Sequence, residues 1–129
     1  DDVGVMRTAG RLENGRRRLG EIRDELMEVG VAGDNLAFNL TWHDWLNTQS
    51  LIEMSEVITE ASIWRENSRG AHFREDFPEA GDLETSYFTL AEKDGDGVKV
   101  TREDVKFTIV KPGETILPEG EPDTLVAAE

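Results

Sequence analysis

The sequence predicts a mainly α fold: a helical hairpin or partial three-helix bundle, spectrin-repeat-like, followed by a C-terminal β-hairpin and an extended tail. Three observations predict it. None of the four prolines precedes Pro78; Pro78, Pro112, Pro118 and Pro122 all lie in the last two-fifths of the 129 residues, which leaves the first part free for long helices. Two stretches in that first part carry apolar residues at three- and four-residue steps. After Pro78 the pattern changes to alternation around Asp94-Gly95-Asp96-Gly97, which is turn chemistry.

The first helix is expected from Ala9 to Glu28. Thr8 can cap it, Leu12, Leu19, Ile22, Leu26 and Val29 form one stripe, and Gly30 and Gly33 supply the stop. A second helix is expected from Leu36 or Asn39 to Asn67. Its apolar set is Phe38, Trp42, Trp45, Leu46, Leu51, Met54, Val57, Ile58, Ala61 and Trp64, which drifts slowly around the helix as in an antiparallel bundle. Two helices alone bury little, so a third element is wanted. Residues upstream of Asp1 or a second copy of the chain would supply it, and a homodimer of the isolated chain is expected on that ground. Strands are expected at Tyr87–Ala91, at Val98–Val100 and on through Val105–Ile109. Beyond Lys111 the chain has acidic but no basic residues and reads as a loosely held tail. The expected organisation is a helical domain (1–80), a β-hairpin packed on it (81–112) and an acidic tail (113–129).

A net charge of −14 argues against nucleic acid and against an anionic membrane surface, both of which need a surplus of Lys and Arg. The absence of cysteine removes disulfides, thiolate metal sites and cysteine nucleophiles, and fits a cytoplasmic setting. No stretch has the length of a membrane span, so no direct membrane insertion is expected. A start at Asp1 and not at Met reads as an excised or processed piece.

Residues 65–78 concentrate polar chemistry: Arg-Glu-Asn-Ser-Arg-Gly-Ala-His-Phe-Arg-Glu-Asp-Phe-Pro. Ser68-Arg69-Gly70 is expected to end the long helix, with Gly70 in a left-handed conformation. Arg65, Arg69 and Arg74 against Glu66, Glu75 and Asp76 suggest an ion-pair network that pins a loop.

The run Asn67-Ser68-Arg69-Gly70-Ala71-His72-Phe73-Arg74-Glu75-Asp76-Phe77-Pro78 resembles the Glu-Ser-Arg-Gly-Ala-His-x-Arg-x-Asp-x-Pro signature of succinate dehydrogenase and fumarate reductase flavoproteins, with looser versions in L-aspartate oxidases and adenylylsulfate reductases. Val3–Arg7, Leu51–Glu56 and Tyr87–Pro112 are similar to further stretches of that family, so the resemblance spans roughly residues 3–112. Asn67 stands where the family usually has Glu and Ser55 where it has Ala, which marks a divergent branch. The resemblance implies the C-terminal domain of an FAD-dependent succinate/fumarate oxidoreductase, an enzyme when intact. The partner implied is the flavin-binding domain of the same polypeptide; an iron–sulfur subunit is a further partner in the family. Ser68, Arg69, Gly70, His72, Arg74 and Asp76 are then expected to anchor one domain to the other. The family's catalytic and flavin-binding residues lie upstream. None carries over, and the isolated chain is expected to be inactive, without cofactor or metal.

Other features have sharper and blander readings. His72 between Arg69 and Arg74 could be a proton donor, but pinning a loop is the commoner use of such a residue. Glu92 to Glu103 resembles a single EF-hand loop, the alternative being a calcium-binding module. Lys99 at a usually apolar position and β-branched residues beyond it favour a plain turn. Arg16-Arg17-Arg18 spans most of a helix circumference and reads as an ion-paired, solvated face. His43-Asp44 has no further ligand at metal spacing, and Trp42, Trp45 and Trp64 read as core or as an interface. A free-standing helical interaction domain is the remaining alternative.

Overall fold

The computed structural model describes residues 2–35 and 37–116. Its order is β1 (Met6–Arg7), α1 (Ala9–Val29), α2 (Leu40–Trp64), β2 (Phe73–Arg74), β3 (Tyr87–Asp94) and β4 (Gly97–Asp104). The acidic tail expected at 113–129 lies mostly outside the described residues.

Helix α1 begins where Thr8 accepts from the Arg11 amide at 3.3 Å. It ends at Gly30, whose φ of 61° would be strained for most residues and whose N–H reaches the Leu26 carbonyl at 3.1 Å. Helix α2 begins with the Asn39 side chain on the Trp42 amide at 3.0 Å. The two helices run antiparallel. Trp45 donates its indole N–H to the Leu26 carbonyl at 3.0 Å, and Arg23–Glu56 and Arg16–Glu60 pair across the seam. Among the described residues Leu12 and Ile52 are the buried apolar ones, and Gly15 and Thr59 are buried on the same two helices. Thr59 satisfies its hydroxyl on the Ser55 carbonyl one turn back.

Gly15 is buried because the N-terminal segment crosses it. A Cβ there would stand 2.7 Å from Val3 Cγ2, so α1 accepts this segment only through a missing side chain.

Helix α2 stops at Trp64, three residues before the expected Asn67. The cause is tertiary: the Arg74 guanidinium donates to the carbonyls of Ser62, Ile63 and Arg65, taking the acceptors that another helical turn would have used. Gly70 is therefore not the helix stop. It takes its positive φ of 56° in a tight turn, in which Arg69 and His72 exchange both backbone hydrogen bonds at 2.9 and 3.0 Å.

Among the described residues no third helix joins the pair and no spectrin-like repeat is formed. The N-terminal strand adds a contact within the chain: β1 pairs in parallel with β2, Met6 opposite Phe73 and Arg7 opposite Arg74. Beyond it, β3 and β4 form an antiparallel ribbon from Tyr87↔Asp104 to Asp94↔Gly97, longer than expected on the β3 side. Gly95 at φ 60° opens the two-residue turn. The strand expected over Val105–Ile109 does not form. The Val105 amide makes a last bond to the Ser86 carbonyl at 2.8 Å, and there β3 has run out. The ribbon packs on α2 through Trp64, whose ring meets Tyr87 edge-on with centroids 5.7 Å apart.

Candidate functional site

The loop from Arg65 to Asp82 is built around three arginines with different tasks. Arg74 is 2% exposed. It forms a fork onto Asp76, Nε to Oδ1 and Nη2 to Oδ2, both at 2.7 Å, while Nη1 closes the α2 carbonyls. Asp76 also accepts from the Ala9 amide at 2.8 Å, so one carboxylate joins the loop to the first residue of α1. The bonds from Arg74 hold the Asp76 carboxyl well below the usual carboxylate range, against the opposing effect of desolvation. Asp76 in turn raises Arg74.

Ser68 accepts from the Arg74 amide and donates to the Phe77 carbonyl, both at 2.8 Å. Arg69 gathers the next segment, donating to the carbonyls of Ala80 and Asp82 and to the Ser86 hydroxyl. Arg65 reaches Thr89 Oγ1 at 3.0 Å and lies 4.9 Å above the centre of the Tyr87 ring. Only one expected ion pair within the motif, Arg74–Asp76, is a strong contact. Glu75 instead meets Arg11 at 3.7 Å on the surface, and Arg65 and Arg69 spend their donors on neutral oxygens.

His72 receives Arg7 Nη1 on its Nδ1 at 3.0 Å. A guanidinium can only donate, so the neutral ring carries its proton on Nε2. That Nε2 is buried and unbonded, as is Arg7 Nε. Burial lowers the ring's proton affinity first, then the charges of Arg7, Arg65 and Arg74; the Arg65 carbonyl works in the other direction without reaching hydrogen-bonding geometry. His72 lines an open cleft of about 460 Å³ with Ile58, Ala61, Arg65, Arg69 and Gly70. Arg7 is the residue that sequence reasoning missed. Only its place in a two-residue strand brings it to His72.

The remaining candidates lie elsewhere. Arg16, Arg17 and Arg18 pair with Glu13, Glu21 and Asp2 on the exposed side of α1. His43 is exposed and contacts Asn47. Trp42 is 43% exposed near the start of α2. The EF-hand reading needs a helix before Glu92, but Phe88–Ala91 is strand and Glu92 is paired opposite Lys99. Among the described residues no group of three or more His, Cys, Asp or Glu is placed to hold a metal ion, and no helix is long and apolar enough to cross a membrane.

Helix N-termini preceded by a strand are where dinucleotide phosphates bind. The β1–α1 junction does not fit one, because the Asp76 carboxylate already occupies the Ala9 amide there.

These features define a class: a helical hairpin whose C-terminal end is latched by an arginine loop and flanked by a β-ribbon. The chain belongs to the family described as the fumarate reductase flavoprotein C-terminal domain, which matches residues 1–117. It is 32% identical over 95 residues to the succinate dehydrogenase flavoprotein subunit of Rickettsia bellii, covering 74% of this chain and 16% of that one. It is 34% identical over 77 residues to L-aspartate oxidase 1 of Ralstonia nicotianae, covering 60% of this chain and 13% of that one. Among solved structures it superposes on FrdA of the E. coli quinol fumarate reductase with a TM-score of 0.77 and 26% identity, covering 86% of this chain and 20% of that one. The chain thus spans less than one-fifth of the length of these two curated relatives.

Proposed function

We propose that this chain is the bracing domain of an FAD-dependent oxidoreductase of the succinate/fumarate type, and that it works by packing against the flavin-binding domain of its own polypeptide. FAD, the dicarboxylate and any iron–sulfur partner are handled outside these residues, in the cytoplasm. One observation carries the reading. Leu51, Met54 and Ile58 lie on one side of α2, spaced by three and four residues, and are 68, 57 and 47% exposed. A soluble helix that faced water there would not carry three large apolar residues in a row. This stripe runs into the His72 cleft through Ile58.

On this reading the signature residues divide their work. Ser68, Arg74 and Asp76 make the loop rigid from behind, while Arg69, Gly70 and His72 stand at the contact. The test is Ile58→Asp in the polypeptide that carries both the flavin domain and this chain. Ile58 is already half-exposed, so the isolated chain should keep its fold, with an unchanged helical circular-dichroism spectrum. The longer protein should lose flavin on heating at a lower temperature and bleach less completely with succinate. Unchanged flavin retention in Ile58→Asp would refute the bracing role. In the isolated chain the same stripe is expected to pair two copies, which sedimentation equilibrium would show as a dimer that Ile58→Asp dissociates.

A further inference from the structure

The His72 cleft is cationic in a chain whose net charge is −14. Among the described residues, seven arginines make ion pairs: Arg11, Arg16, Arg17, Arg18, Arg23, Arg74 and Arg102. Arg7, Arg65 and Arg69 make none, and all three meet at this cleft. Arg65 and Arg69 line it, and Arg7 holds the ring that lines it. Two of the group's donors, His72 Nε2 and Arg7 Nε, are buried with no acceptor. Both are closed off from the cleft, so what the cleft itself presents is the uncancelled charge of the arginines that line it. The cations that line the cleft call for the complement they lack, an oxygen acceptor carrying negative charge.

We infer that the flavin-binding domain inserts a carboxylate side chain, Asp or Glu, into this cleft, where it lies beside the His72 ring and neutralises Arg65 and Arg69. This rests on the proposed packing of that domain against α2. Charge complementarity selects the occupant, since an apolar or basic plug would leave the arginines unpaired. The arrangement also makes a specificity device. The apolar stripe alone would accept many partners, whereas a carboxylate at one end of it fixes the register.

The groups facing His72 are Arg7 from β1, Arg65 from the end of α2, Arg74 on its own strand and Arg69 across the cleft, so among the described residues no anion faces the ring. In the isolated chain, nitrogen-detected NMR should show His72 as the Nε2–H tautomer titrating below 6.5. His43→Gln assigns the signal, because the chain has two histidines. In the longer protein with its flavin domain the same ring should titrate about one pH unit or more higher, as an opposite charge brought beside it requires. Methyl shifts of Leu51, Met54 and Ile58 are read in parallel. If the methyls shift and His72 does not rise, packing stands and the carboxylate inference is overturned. If the methyls do not shift, the packing itself fails, and the inference with it. If free fumarate added to the isolated chain produces the rise, the cleft binds a small dicarboxylate and the inference is likewise overturned.

Discussion

Replacing Asp76 with Asn changes no atom's position in principle and removes one charge, which makes it the sharpest probe of the latch. The Arg74 guanidinium is 2% exposed and donates two 2.7 Å bonds to Asp76 and the rest to α2 carbonyls. An amide can accept only one of the two fork bonds and turns its own N–H₂ toward the other, so the buried cation keeps the α2 carbonyls and loses its counter-charge. Breaking a buried pair from one side costs about 3–5 kcal/mol. Asp76 itself is 29% exposed and water can move in, so the lower end applies: about 3 kcal/mol, or a fall in Tm of about 10 °C for a chain of this length. The assay is urea unfolding followed by Trp fluorescence. The pH dependence gives a second reading. The folded carboxyl titrates below its ordinary value of 3.8, so its stabilisation is complete above that value and is lost as pH falls toward the folded one. The Asp76→Asn variant should lack this acid-side loss. As a control, Asp76→Asn placed on an Arg74→Met background should cost little. A single variant within about 1 kcal/mol of the parent, or one with the same acid dependence, would refute the account of Arg74 as a cation held by Asp76.

Three further outcomes follow from the same structure. A Cβ at Gly20 meets nothing within 4 Å, so Gly20→Ala should stabilise α1 by about 1 kcal/mol; at Gly15 it meets Val3, so Gly15→Ala should destabilise by about 1 kcal/mol despite the better helix propensity, both read by urea unfolding. Ile52→Ala empties one of two buried apolar positions and should cost about 3 kcal/mol by the same measurement. Calcium added to the chain should release no heat in titration calorimetry, because Glu92 to Glu103 is a paired ribbon and not a loop between helices.

Both helices were legible because each carries its own punctuation. Thr8 and Gly30 bound α1, and Asn39 opens α2, all by local hydrogen bonds that sequence displays. The ribbon was legible for the same reason, through Gly95. Misreadings occur where a distant residue decides. Helix α2 ends at Trp64 because Arg74, nine to twelve residues on, takes its carbonyls; local propensity would have carried it to Asn67. Val105–Ile109 alternates as a strand should, but alternation makes a strand only where a partner strand exists, and β3 begins at Tyr87. The pairing of β1 with β2 left no trace, since two residues hold no periodicity.

The site shows the same division more sharply. Charge in the motif announced a pinned loop, and the Arg74–Asp76 fork is short-range enough to be read from spacing two apart. What spacing could not assign was the use of each other arginine. Arg69 and Arg65 look in sequence like members of one ion-pair network, yet they donate to Ala80, Asp82, Ser86 and Thr89, neutral oxygens brought in by the chain's return along α2. Their charges therefore stay uncancelled, and together with Arg7 they surround the one histidine of the motif. A motif of this composition serves two ends at once. Its paired half, Arg74 with Asp76, sets the shape of the loop, and its unpaired half, Arg65 and Arg69 with His72, leaves a charge for another surface to meet.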